Sequence, residues 1–392
     1  MVSLIGSWTQ TTALMWLAFE LTHQSKWPAF ISAAQIGPTF LFGPIGGWFS
    51  DRVPKRTLII STQFGYLVIA SLLTICVFVG WTSPWLLLSM SLCNGLIQAM
   101  DLPARLSFVP NLVPKEDLIN AVALNSLLFN VARSLGPALA GVLLVTSGAG
   151  VCILVNALSY GAVLWALMQM DFPPEPIRDG PRERNHPWSG FVILWQQPKL
   201  GLLILLAGAM ALFGWPVMTL LPAYSANVLH ADEATYSLLL STIGAGALCG
   251  ALSVARYGAM DRRWRFLMAG GVIVCVGLTG LANADTRWIA GASCAVFGYG
   301  MILFFATGQS TVQLSTTDSN RGRVMGIWAM MLSGGVPIGN LIFGPIADDF
   351  GVVRVLTVQA IVVGMLTMVL VAFRLRTRMN RRALTVSTDA VK

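Results

Sequence analysis

Apolar runs of about twenty residues, broken by short polar stretches, recur from one end of the chain to the other. Lipid offers no partner to an open backbone, so a membrane span here has to be a helix, and about 20 mostly apolar residues are needed to cross roughly 30 Å of hydrocarbon. By this measure twelve helices are predicted, near 4–21, 28–49, 57–79, 84–100, 121–146, 151–170, 200–222, 236–255, 266–283, 288–308, 324–346 and 352–373. The expected fold class is an all-α membrane protein. Its longest polar break, DFPPEPIRDGPRERNHPWSG from Asp171 to Gly190, is rich in proline and charge and too short to fold as a domain. It predicts a six-helix bundle over 1–170, a linker over 171–198, a second bundle over 199–374 and a basic tail over 375–392.

Sliding the sequence by 203 residues lays Gly47 on Gly250, Gly136 on Gly339, Gly141 on Gly344 and Asn156 on Gln359. Four matches at one offset, each joining equivalent helices, predict two six-helix pseudo-repeats. Such an arrangement puts a binding site between the halves near mid-membrane.

Composition agrees with this picture: 55% of the 392 residues are hydrophobic and 11% charged, less than half the charge of an ordinary soluble domain. The formal net charge of +8 does not point to nucleic acid, because the cations lie in short clusters between apolar runs without an aromatic-interleaved patch. They report topology instead. With the N-terminus inside, 21 of the 25 Lys and Arg fall in inner loops and the tail. Lys26, Arg287 and Arg354 fall outside, and Arg133 lies within a helix. Both termini and the linker are therefore expected in the cytoplasm, with the chain threaded many times through a bacterial inner membrane. The first apolar run has neither a basic region before it nor a small-residue cleavage site after it, so no cleavable signal peptide is expected.

Enzyme chemistry has little to work with. His23, His186 and His230 all fall in predicted loops, and the six cysteines stand singly inside apolar runs. No catalytic group, metal site or cofactor is expected. Without a phosphate-binding Walker loop, ATP hydrolysis does not drive a cycle from this chain.

The polar residues inside the spans are the candidates for function. Arg133 sits near the middle of the fifth helix, where a cation costs at least about 2.5 kcal/mol unless it faces protein or water. Ser126, Asn130, Arg133 and Pro137 follow at i, i+4, i+7 and i+11, which places them on one face. The fourth helix carries a similar stripe, Asn94, Gln98 and Asp101, ending near Arg105. Together the two faces are candidates to line a polar path, with a structural ion pair or carbonyl-capping role for Arg133 as the alternative. Glu20, near the outer end of the first helix, is a further coupling candidate. Gln35, Asn125, Asn156, Gln309, Asn340 and Gln359 are weaker ones, since lone amides often only bond across helices.

The loop after the second helix reads GGWFSDRVPKRT. Gly47 permits close helix contact, and Asp51 can accept hydrogen bonds from a neighbouring helix N-terminus or an Arg. Arg52, Lys55 and Arg56 can pin the loop to headgroups or acidic partners. This spacing resembles the signature loop of the major facilitator superfamily, with Pro54 standing where a second glycine is usual. The resemblance implies the major facilitator fold and a latch that stabilises an outward-facing state. In the fifth helix NVARSLGPALAGVL, with Arg133, Gly136, Pro137 and Gly141, resembles the superfamily's antiporter motif, with Ala132 and Ala140 in place of two of its glycines.

The stretch from Asp101 to Gly141, with its P-A-R segment, L-V-P turn and A-x-A-L-N-S before N-x-A-R-x-x-G-P, is similar to the bacterial subgroup of transmembrane secretion effectors that includes the enterobactin exporter. The resemblance spans nearly the whole chain. It implies proton-driven efflux of a siderophore, drug or other metabolite by alternating access, with protons, one small molecule and the bilayer as partners and a monomer as the working unit. Nutrient uptake on the same fold, or a membrane sensor or assembly protein without transport, are the alternatives. Two departures stand out. Ser91 lies nearest the place of the fourth-helix arginine found in many drug/proton antiporters, and the basic, aromatic segment that precedes helix one in similar proteins does not precede Gly6-Ser7-Trp8 here. A start upstream of Met1 is the expectation drawn from the second.

Overall fold

A computed structural model describes residues 1–50, 53–108, 118–169, 189–257 and 263–389, and all the regular structure among them is helical. In order the helices are α1 (Val2–Thr22), α2 (Lys26–Ser50), α3 (Lys55–Val79), α4 (Pro84–Phe108), α5 (Leu118–Ser147), α6 (Ala149–Gln169) and α7 (Ser189–Gln196). There follow α8 (Pro198–Gly214), α9 (Val217–Asn227), α10 (Glu233–Tyr257), α11 (Arg263–Ala282), α12 (Arg287–Leu314), α13 (Asp318–Phe350) and α14 (Val352–Asp389). The face on which α1 begins is called lower, and the opposite face upper.

Nine described segments are long and apolar enough to cross a membrane: 56–79, 84–105, 149–169, 198–227, 233–257, 263–282, 287–314, 323–350 and 352–375. Ser, Thr and Gln on α1 and Gly and Pro on α2 dilute those two helices, and an apolar piece of α5 covers Val131–Ser147. With α1, α2 and α5 packed among the nine, the architecture is consistent with the predicted twelve.

Three details depart from the sequence pattern. The seventh window is two helices, α8 and α9, because Pro216 lacks the N–H that would continue the ladder. The linker ends in a short helix of its own, α7, whose Trp195 is exposed at the lower face. And α14 runs on through the tail to Asp389, since no Gly or Pro after Gly364 interrupts it.

The pseudo-repeat is visible as repeated packing. α1 packs on α5 and α6, as α8 packs on α13 and α14; α2 packs on α4, as α10 packs on α12; α3 packs on α6, as α11 packs on α14. The joints repeat as well. A single glycine of positive φ, Gly148 (80°), connects α5 to α6, and 203 residues later Gly351 (87°) connects α13 to α14. Gly136 lets α5 approach Trp8 and Ile5 of α1, while its equivalent Gly339 lets α13 approach Leu212 of α8. The packed interior is uneven. The largest apolar cluster runs through α8 to α14 and takes in parts of α1, α5 and α6, whereas the other clusters, all within α1 to α6, are smaller.

Candidate functional site

The two sets of helices meet along their upper halves. Asp348, near the end of α13, accepts hydrogen bonds from the backbone N–H groups of Ser25 and Lys26, where α2 begins. A helix start leaves N–H groups without intrahelical partners and carries partial positive charge, so a carboxylate placed there is doubly matched. Lower down the same seam Asn340 of α13 donates from Nδ2 to Ser32 Oγ of α2 (3.0 Å) and accepts from Thr219 Oγ1 of α9 (3.2 Å), tying three helices together. Gly344 brings α13 against Ala29 of α2, and its repeat equivalent Gly141 brings α5 against Ser237 of α10. Trp16 of α1 stacks on Tyr236 of α10 with ring centroids 5.7 Å apart. Thr12 to Phe19 of α1 are buried without interruption, and so are Thr219 to Ser225 of α9.

Toward the lower face the enclosure loosens. Ser3, Leu4, Ile5, Ser7, Trp8 and Thr11 of α1 are only partly buried. On α4 the apolar residues Trp85, Leu92, Leu96 and Met100 form one exposed stripe facing away from the bundle. On its opposite side Leu87 and Ser91 are buried near the upper end, but Gln98 and Arg105 become exposed near the lower end. A polar side chain exposed on the inward face of a span marks accessible space beside it, and the buried upper residues place that space toward one face. Here that face is the lower one.

Arg133 looks into the interior from α5. Leu135, Leu139 and Val142 form the exposed face of this helix, Gly136 lies against α1, and Ser134 lies against Gly244 of α10, with its Oγ 3.4 Å from the carbonyl oxygen of Ser241. Between the last two directions falls Arg133, 5% exposed. Pro137, one turn on, shares that face and is buried. The side chains of Ser126 and Asn130 lie outside the described residues.

The α4 stripe divides. Gln98 is exposed on the inward face and Asn94 partly so, whereas Asp101 turns away from the path into contact with α3. Its carboxylate accepts from Thr62 Oγ1 (2.7 Å), Gln63 Nε2 (3.3 Å) and Arg105 (2.7 Å). A buried carboxylate needs such donors, and α3 supplies two of them. Glu20 is exposed at the upper end of α1. In the loop after α2, Asp51 and Arg52 lie outside the described residues, as do the surroundings of Gly47 and the side chain of Lys55, while Arg56 is exposed at the start of α3.

Sequence reasoning missed one feature near this path and named only Asn156 of a second. Asp348 sits beside Asp349 at the end of an apolar helix with nothing local to mark its partners, which are more than 300 residues away in the chain. Gln10 of α1 accepts from Asn156 Nδ2 of α6 at 2.7 Å; Ser159 Oγ lies 3.1 Å from Asn156 Oδ1, and Ser7 shares a hydrogen bond with Tyr160 (3.1 Å). The polar residues of the first helix were the available signal for this network.

Against known proteins, the profile of a family described as transmembrane secretion effector matches residues 1–390. A staphyloferrin A transporter of Staphylococcus aureus is 22% identical over 384 residues, covering 93% of this chain and 92% of the relative. An enterobactin exporter of Citrobacter koseri is 27% identical over 367 residues, covering 89% and 84%. Among solved structures a nucleoside transporter superposes with a TM-score of 0.74 at 12% identity, covering 95% of this chain and 97% of the other. A bacterial homologue of the human lysosomal transporter Spinster, in an inward-facing and occupied conformation, gives a TM-score of 0.74 at 12% identity, with coverage of 95% and 94%.

Proposed function

The chain belongs to the transmembrane secretion effector family of the major facilitator superfamily, and from that premise we propose that it exports a siderophore-like metabolite from the cytoplasm, driven by protons moving inward. Arg133 carries the reading. It is a guanidinium inside the fifth helix, turned toward the space between the halves, and its planar fork suits carboxylate, catecholate or hydroxamate oxygens. Gln98 and Asn94 of α4 supply further polar groups toward the lower face.

In this proposal the lower face is cytoplasmic, which the distribution of Lys and Arg supports. Substrate enters from below while the upper seam is closed by Asp348, Asn340 and the Trp16–Tyr236 stack. Export requires that seam to part and the lower side to close, where Asp51 and the cations of its loop act as the opposing latch. Each latch stabilises one state, so transport depends on their balance. One molecule of the chain is taken as the working unit.

The test is flux into inside-out membrane vesicles under a pH gradient, with catecholate, hydroxamate and hydroxycarboxylate siderophores and a panel of toxic compounds as probes. Accumulation that a protonophore abolishes is the expected result. Movement in the opposite direction makes the protein an importer, and saturable binding with no flux makes it a sensor.

A further inference from the structure

We propose that the C-terminal half carries a binding site for an anionic phospholipid, with a headgroup pocket at the lower face and an acyl-chain groove on the lipid-facing side of α11 and α14. The pocket is a cavity of about 400 Å³ enclosed by the start of α8, the first turn of α11, the lower end of α12 and the lower part of α14. Its polar wall comprises Lys199, Arg374, Thr311, Ser315 and Gln197. None of its described lining residues is acidic. Trp264 forms part of the wall, and the Arg374 guanidinium carbon lies 5.0 Å from that ring's centroid, which holds the charge at the edge of the cavity. Lys199 is the second residue of α8, so its ammonium group and the positive end of that helix act on the same volume. Two cations, two hydroxyls and a helix start match one phosphodiester with a hydroxylated headgroup.

A second observation selects a lipid over a soluble phosphate. A groove of about 480 Å³, almost wholly apolar, lies between the same two helices and is lined by Val272, Cys275, Gly364, Thr367, Met368 and Val371. It descends to Leu375, the neighbour of Arg374, so pocket and groove meet on α14. Gly364 keeps it open, because a side chain there would grow past Cys275 Sγ, 3.4 Å from the position of a Cβ. Basic pockets between helices on the cytoplasmic side of membrane proteins suit anionic headgroups, and each cation near such a surface contributes several-fold to binding.

The experiment is native mass spectrometry of the full-length protein in detergent, titrated separately with phosphatidylglycerol, phosphatidylcholine and soluble glycerol 3-phosphate. Phosphatidylglycerol is expected to bind roughly 30-fold more tightly than phosphatidylcholine, the effect of two cations. Lys199→Gln with Arg374→Gln should erase that preference, and Lys199→Arg with Arg374→Lys should keep most of it. Gly364→Leu should weaken phosphatidylglycerol several-fold and leave the weak binding of glycerol 3-phosphate unchanged. Equal affinity for the two lipids, or a preference that survives the double glutamine variant, overturns the site. Glycerol 3-phosphate binding as tightly as phosphatidylglycerol, with Gly364→Leu neutral, overturns the lipid assignment in favour of a soluble phosphate.

Discussion

Positions 133 and 336 are equivalent under the 203-residue repeat, yet the first holds a guanidinium and the second a buried valine. The same divergence runs through both interiors. Gln10, Asn156, Ser159, Ser7 and Tyr160 form a hydrogen-bonded seam between α1 and α6. In the other half an aromatic group joins α8, α12 and α13: Trp215, at the break between α8 and α9, meets Phe305 edge-on at 5.8 Å, and Phe305 meets Trp328 at 6.5 Å. What the halves share is geometry. Gly95 of α4 and its equivalent Gly298 of α12 each sit where a Cβ would strike a carbonyl, of Ala34 in one half and Ile243 in the other. The repeat has kept the places where backbones must approach and let the chemistry between them diverge. Asp101 and Arg133 are buried in the N-terminal half, whereas the buried cation of the C-terminal half, Arg263, stands at the very start of α11.

The strongest way to break this comparison is to exchange the odd pair. Arg133→Ala should lower flux per inserted molecule by roughly 100-fold or more, the scale of removing a charged partner from a desolvated contact. Arg133→Lys keeps the charge but loses the fork, and should remain partly active. Val336→Ala should cost less than about threefold in flux, because it removes only two methyl groups from a packed wall. Radiolabelled efflux normalised to immunoblotted membrane protein measures all three. Equal losses at 133 and 336 would mean that the halves contribute alike and that Arg133 is structural.

A smaller effect is expected at the two opposed latches. Asp348→Asn keeps the shape of the side chain and one acceptor oxygen but removes the charge facing the start of α2. A charged hydrogen bond at an exposed helix start contributes about 1 kcal/mol, so the upper-closed population should fall about three- to tenfold relative to the upper-open one. Asp51→Asn, in the loop after α2, should shift the balance in the opposite direction and slow transport without abolishing binding. Distances between spin labels on the upper ends of α1 and α9 read both shifts. A distribution unchanged in Asp348→Asn would leave the upper seam to packing alone.

The spans were legible because hydrocarbon imposes a length and a polarity on every crossing segment, and the glycine matches because close backbone approach tolerates only the smallest residue. Gly136 and Gly339 do serve equivalent crossings, as do Gly141 and Gly344. The inward direction of Arg133 was legible from the cost of any other. Other features depended on partners far away in sequence. Asp101 shares a stripe with Gln98, but a shift of three residues turns it to α3, where Thr62 and Gln63 receive it. The Asp348 contact joins two helix ends, and no periodicity in either helix announces it. The bend between α8 and α9 was written in Gly214-Trp215-Pro216, although hydropathy alone reads through it as one span.

The finest test of the comparison lies at Asn156 and Gln359, the one buried amide pair that the repeat aligns. Both are buried, at 1% and 0% exposure. Asn156 has its partners in Gln10 and Ser159, whereas the Gln359 amide has no hydrogen-bond partner among the described residues. Removing one member of a satisfied buried pair strands the other, so Asn156→Leu leaves the Gln10 carbonyl oxygen without its donor and should destabilise the fold by about 1–2 kcal/mol. Gln359→Leu removes two buried polar atoms that gain nothing from the protein around them and fills nearly the same volume. It should be neutral or stabilising by up to about 1 kcal/mol. Thermal unfolding in detergent therefore should show a lowered midpoint for the first variant and an equal or raised one for the second. A lowered midpoint for Gln359→Leu would mean that its amide is engaged in another conformation of the cycle. In that case flux should fall with it, and the polar seam of the N-terminal half would have a working counterpart in the C-terminal half.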